Sequence, residues 1–140
     1  MATATYLVDN SVLARMAKPS VAIRMEPMIV TGTVAACSVT DLETLFSARS
    51  GEEHHARRAD LELRFVHVPV DQPMLNRAVE VQGLLAERGQ HRGANLPDLM
   101  VAAAAERAEL AVLHYDADFD LIATVTGQEM EWVVPRGSVD

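Results

Sequence analysis

Four acidic residues stand in separate segments of this 140-residue chain at places where carboxylates could act together: Asp9, Glu43, Asp98 and Asp116. Asp9 closes the apolar stretch TYLVD (5–9), and Asp116 follows the apolar AVLHY (111–115). Asp98 lies beside Pro97 at the mouth of an alanine-rich segment, and Glu43 comes three residues after Thr40. Asp118 adds a fifth acid two positions beyond Asp116. Carboxylates gathered in one pocket raise one another's pKa and destabilise a fold unless cations neutralise them. An all-oxygen donor set of this kind suits magnesium or manganese. Each acid taken singly also has a structural reading. Asp98 can be a helix-capping charge, Glu43 the reciprocal member of a capping box with Thr40, and Asp9, Asp116 and Asp118 turn or cap residues. The chemical reading rests on all four reaching the same edge of the fold.

The surrounding sequence supplies elements that can bring them there. Apolar runs at 5–9, 34–38, 65–70, 110–113 and 132–134 are expected strands. Helices are expected from near Val12 after caps at Asn10 and Ser11, between Pro19 and Pro27, from Thr40, over 50–62, over 73–88 ended by Gly89, from Asp98, and over 118–125. Helices alternating with short apolar strands predict an α/β domain of three layers, α/β/α, around a central parallel sheet of four to five strands. In such sheets ligands sit outside the carboxyl ends of the strands, where the strand order reverses. Asp9 and Asp116 both fall at strand ends.

Length fits one domain over residues 1–140, and no apolar run approaches the roughly 20 residues of a membrane span. The N-terminus lacks a basic region before its apolar stretch, so a cytoplasmic protein is expected. Cys37 is the only cysteine, which excludes an internal disulfide and a multi-cysteine zinc site. Net charge is −8 and Lys18 is the only lysine, which argues against a broad electrostatic platform for nucleic acid. Action on nucleic acid would require a local inversion of the field.

YLVDNSVL (6–13), SVTDLETL (38–45), LPDLMVAAAA (96–105) and AVLHYDADFD (111–120) together resemble the four motifs of PIN-domain nucleases, in order and over nearly the whole chain. A small single-domain version is most similar to the VapC toxins of toxin–antitoxin modules. The resemblance implies a PIN-like fold and an endoribonuclease dependent on Mg2+ or Mn2+. It puts Asp9, Glu43, Asp98 and Asp116 at the catalytic and metal-binding positions, with Asp118 as a substitute for, or addition to, the fourth. It also implies an RNA substrate such as transfer or ribosomal RNA, a VapB-type antitoxin and a homodimer. His114 departs from the pattern, since many relatives carry Thr or Ser two residues before the fourth acid. It is a candidate for contact with RNA or a metal-bound water, against a packed histidine at a strand end.

Ser11 is a candidate to orient Asp9 or a metal water, and Arg92, ahead of Asp98, to grip phosphate, with Arg88, His91 and Arg15 nearby. HHARR (54–58) lies among Glu52, Glu53, Asp60 and Glu62 and is expected to form pairs along an exposed helix. Met16, Met25, Met28, Leu42, Leu45 and Phe46 offer apolar faces for the core or for a partner helix. Two other functions compete: a PIN-like binding module without turnover, and a magnesium-dependent phosphatase with Asp116 as nucleophile. DADFD does not complete a calcium loop, because Leu121 stands where glycine is needed and Gly127 where a glutamate belongs.

Overall fold

Tyr6, Leu7 and Val8 form β1, which lies at the centre of a five-stranded sheet and is paired on both edges. A computed structural model describes residues 3–140. The chain continues through α1 (Asn10–Leu13), α2 (Pro19–Val30), β2 (Val34–Ala36), α3 (Ser38–Phe46), α4 (Gly51–Arg64) and β3 (Val66–His67). It then runs through α5 (Gln72–Ala86), α6 (Leu96–Ala108), β4 (Ala111–His114), α7 (Asp118–Thr126) and β5 (Met130–Trp132). Strand order is β3-β2-β1-β4-β5, and every neighbouring pair is parallel. The chain moves outward from β1 to β3 and then returns to the other side of β1 with β4. The order therefore reverses between β1 and β4, which opens a crevice at their carboxyl ends.

Alternation along each strand builds the three layers. Leu7, Ala35 and Val112 point into a core shared with α5, α6 and α7, which includes Met74, Val81, Leu85, Leu99, Phe119 and Ile122. Val8, Val34, Ala36 and Leu113 point to the opposite side, against Val12, Val21, Met25, Leu61 and Phe65. Apolar side chains on both faces explain why the strands read as unbroken hydrophobic runs. In α6 the buried stretch from Val101 to Ala105 carries four alanines, so its backbone can lie close to its neighbours. No helix among the described residues is long and apolar enough to cross a membrane.

Several expected boundaries shift. Pro27 lies inside α2 instead of ending it. It stands on the exposed side, as does Ile23, whose carbonyl loses its helical donor, and water can reach that face. The last strand begins at Met130, not Trp132, because a half-buried edge strand tolerates Glu131, which pairs with Arg24 at 2.7 Å. Arg24 also donates to the carbonyls of Trp132 and Val133, at 2.9 and 2.7 Å. The charged run in α4 pairs along its own helix as expected, Arg57 with Glu53 at 2.6 Å and Arg58 with Glu62 at 3.2 Å.

The capping box at Thr40 does not form. Helix α3 begins at Ser38 after Cys37, which puts Thr40 in its first turn. Thr40 is fully buried and donates its hydroxyl to the carbonyl of Val8 at 3.0 Å, tying α3 to the end of the central strand. Replacing Thr40 by the near-isosteric valine leaves that carbonyl without its donor. We expect Thr40→Val to lower unfolding free energy by about 1–3 kcal/mol in urea titrations, with Thr40→Ser closer to wild type.

Candidate metal centre

Asp9 follows β1 in extended conformation and caps α1, its Oδ2 accepting the N–H of Ser11 at 2.9 Å. Asp9 itself is the cap, where Asn10 and Ser11 were expected. Its other oxygen, Oδ1, is buried with no hydrogen-bond partner. Burial pushes the carboxyl group up; the bonds from Ser11 oppose this and the charge of Asp116 adds to it. Glu43 lies one turn beyond Thr40 on α3. Since Thr40 is engaged with β1, Glu43 has no capping duty, and its Oε1 is also buried and unpartnered. Burial, followed by the charges of Asp9 and Asp116, pushes Glu43 up to about 7. The neighbouring Asp41 is directed elsewhere, to His67 on β3 at 2.8 Å, so of the two acids Glu43 joins the cluster.

Asp98 occupies the first turn of α6, where the helix dipole favours an anion. Only 4% exposed, it leaves Oδ2 without a partner. Burial raises it to about 9, assisted by a hydrogen bond with Asp118 and by the charges of Asp9, Asp116 and Asp118. Asp116 and Asp118 come from the turn between β4 and α7. Asp116 Oδ1 accepts the N–H of Asp118 at 2.9 Å, and Asp118 Oδ2 accepts the N–H of Asn95 at 3.1 Å. One carboxylate oxygen from each of Asp9, Glu43 and Asp98 lies within 4.8 Å of the other two. A second group, Asp98, Asp116 and Asp118, meets the same distance, so Asp98 is common to both.

Three unpartnered buried oxygens from remote segments make a donor set suited to a hard divalent cation. The acids therefore do meet, at the crevice where strand order reverses. Supporting bonds hold their elements in place. Ser11 Oγ accepts the N–H of Tyr115 at 2.9 Å, bridging the exits of β1 and β4. Thr44 donates to Asn10 at 2.9 Å, joining α3 to α1. Neither contact was visible as a motif; a hydroxyl or amide close in sequence to each acid was the only sign.

The other candidates divide. Arg92 is exposed in the loop before α6. Gly93 lets that loop close on α7, since a Cβ there would stand 2.7 Å from Leu121 Cδ2. Arg88 is engaged with Thr124 at 3.1 Å, and Arg15 with the carbonyls of Ser11 and Asp140, both at 2.7 Å. His114 is fully enclosed, which removes it from contact with RNA and leaves the packed reading. Its Nδ1 accepts the N–H of Asp116, and burial pulls the ring down to about 4, so it is neutral at physiological pH.

A family model described as PIN domain matches residues 6–125. Ribonuclease VapC51 of Mycobacterium tuberculosis is 46% identical over 135 residues, which covers 96% of this chain and 97% of that protein. Ribonuclease VapC21 of the same organism is 43% identical, covering 97% and 99%. Among solved structures, the DNA-bound VapBC of Salmonella typhimurium gives a TM-score of 0.76 at 15% identity, covering 94% of this chain and 100% of that chain. VapBC-5 of Mycobacterium tuberculosis gives 0.65 at 24% identity, covering 93% and 99%. At these identities the solved structures show a common fold alone. The chain belongs to the PIN-domain family, in the branch of its ribonuclease VapC relatives. Membership removes the basis for reading DADFD as a phosphatase nucleophile.

Burial raises these carboxyl groups above their values in the unfolded chain, so the metal-free folded protein retains protons that the unfolded chain has released. The cluster's contribution to stability is intact below the ordinary values, 3.8 for Asp98 and 4.5 for Glu43, and is lost as pH rises through about 7 for Glu43 and about 9 for Asp98. Thermal melts without metal should therefore fall across this range. A divalent cation should restore most of the loss at the alkaline end and little at the acid end.

Proposed function

We propose that this protein is an endoribonuclease dependent on magnesium or manganese, the toxin of a pair in which a VapB-type antitoxin restrains it in the cytoplasm. The observation that carries the reading is the convergence of Asp9, Glu43 and Asp98, each with a buried oxygen that no protein donor satisfies. A cation held by these acids supplies an activated water and charge relief on the phosphodiester. In this reading Asp9, Glu43, Asp98 and Asp116 hold it, and Asp118 completes the group around Asp98. Ser11 orients Asp9 through its backbone N–H. Arg92 contacts phosphate beside the acids. Cations in the crevice reconcile a chain of net charge −8 with a polyanionic substrate.

The names of the full-length relatives support ribonuclease activity, and the VapBC complexes among the structural neighbours support an antitoxin partner. The apolar surface expected for that partner divides in two: Met25 and Leu45 are core residues, whereas Leu42 and Phe46 are 70% and 90% exposed beside Glu43. Leu42 and Phe46 are suited to an antitoxin helix. The homodimer would use another face, the apolar groove between α5 and α6 lined by Leu75, Val79, Leu96 and Met100.

RNA cleavage should require added Mg2+ or Mn2+ and stop with a chelator. Asp98→Asn should lower it on the order of a hundredfold or more, the scale of losing one preorganised electrostatic group. No turnover by either protein with metal present would favour the binding-only module, and equal turnover by wild type and Asp98→Asn would count against the acidic cluster as the source of the cleavage.

A further inference from the structure

His114 ends β4 with no solvent exposure. Its ring lies between Phe119 of α7 and Trp132 of β5, with centroids 5.0 Å from each. Apolar enclosure of this kind would suit a leucine or phenylalanine, yet the side chain here carries two nitrogens. Nδ1 accepts the backbone N–H of Asp116 at 3.1 Å. A nitrogen that accepts carries no hydrogen, so the neutral ring bears its proton on Nε2. Nε2 is buried without a partner. The fold thus tolerates a stranded donor in order to keep an acceptor facing the turn, and such a group calls for an explanation.

The explanation lies in what the bond controls. The N–H that His114 receives belongs to the peptide leading into Asp116, and the chain of bonds continues from there. Asp116 Oδ1 takes the N–H of Asp118, and Asp118 Oδ2 takes the N–H of Asn95 at the mouth of α6. The turn that carries two acids is thereby pinned at both ends, to the strand it leaves and to the helix that bears Asp98. The backbone of His114 adds a further anchor, its carbonyl accepting the N–H of Val133 at 2.8 Å.

We propose that His114 is a positioning residue: as the Nε2–H tautomer, its Nδ1 fixes the peptide before Asp116 so that Asp116 and Asp118 face Asp98 as joint ligands of a divalent cation. This inference rests on the reading of the acidic cluster as a cation site. It gives His114 no contact with RNA and no proton to transfer. An acceptor at the Nδ1 position is all that the role requires, so an asparagine, whose amide oxygen can stand at that point, should perform it. A leucine, which fills much of the ring's space without an acceptor, should not.

Manganese binding, followed by electron paramagnetic resonance of the free ion in the absence of RNA, tests this on the whole chain. We expect His114→Leu to weaken manganese affinity about 10- to 100-fold, the range for a lost outer support of a metal ligand, and His114→Asn to stay within about threefold of wild type. A purely packing role would lower the melting temperature of both variants and leave manganese affinity unchanged. Wild-type affinity in His114→Leu, or equal weakening in both variants, would overturn the proposal. If His114→Leu does not fold, the imidazole nitrogen shifts of the wild type decide. A proton on Nε2 with Nδ1 bare, together with near-native binding by His114→Asn, supports the assignment, and a proton on Nδ1 overturns it. Failure of the wild type to bind manganese would instead overturn the cation-site reading, and this inference with it.

Discussion

Like charges held at short range under a cover of apolar packing are the constraint that governs this molecule. Two full charges 4.8 Å apart repel by about 3–4 kcal/mol at an effective dielectric of about 20. Three such pairs among Asp9, Glu43 and Asp98 would consume most of the roughly 5–15 kcal/mol by which a domain of this kind is stable. The folded chain therefore cannot keep all of its clustered acids ionised and unaccompanied. Protons supply one remedy, visible in the raised values of Glu43 and Asp98, and a divalent cation supplies the other. A centre that exchanges one remedy for the other is coupled to both pH and metal.

Geometry survives this repulsion because each acid is set by backbone that cannot easily yield. Asp9 caps the first turn after a strand hydrogen-bonded on both edges. Glu43 is carried by a helix tied to that strand through Thr40 and to α1 through Thr44. Asp98 stands in the first turn of a helix whose entry is joined to the Asp116 turn through Asn95 and Asp118. Two hydrophobic cores, one on each face of the sheet, hold these pieces in register. Packing energy far from the acids is what keeps them together.

Much of this was legible in the sequence, for reasons that separate from what was not. Strands buried on both faces leave continuous apolar runs, and helices between them leave periodic ones, so the layered parallel sheet and the acids at strand ends could be read directly. The residues misread are those whose role depends on a partner remote in sequence. Thr40 three residues before Glu43 has the spacing of a cap, but its hydroxyl answers to Val8, 32 positions earlier. Pro27 looks like a helix end until its exposure is known. Met25 and Leu42 have the same apolar character, and only the fold decides that one is core and the other surface. The turn containing Asp116 was correctly placed, but the direction of the His114 ring, and with it the bond that holds the turn, could not be inferred from residue types.

The outer strands are short and partly covered. β3 contributes two residues, and the carbonyls of Trp132 and Val133 on the β5 side already receive the guanidinium of Arg24. Such margins offer little template for a foreign strand, so extension of the sheet into fibrils or swapped ribbons has almost no starting point. Recognition by other chains is left to side chains on helices, where specificity is written in shape and charge and not in main-chain ladders.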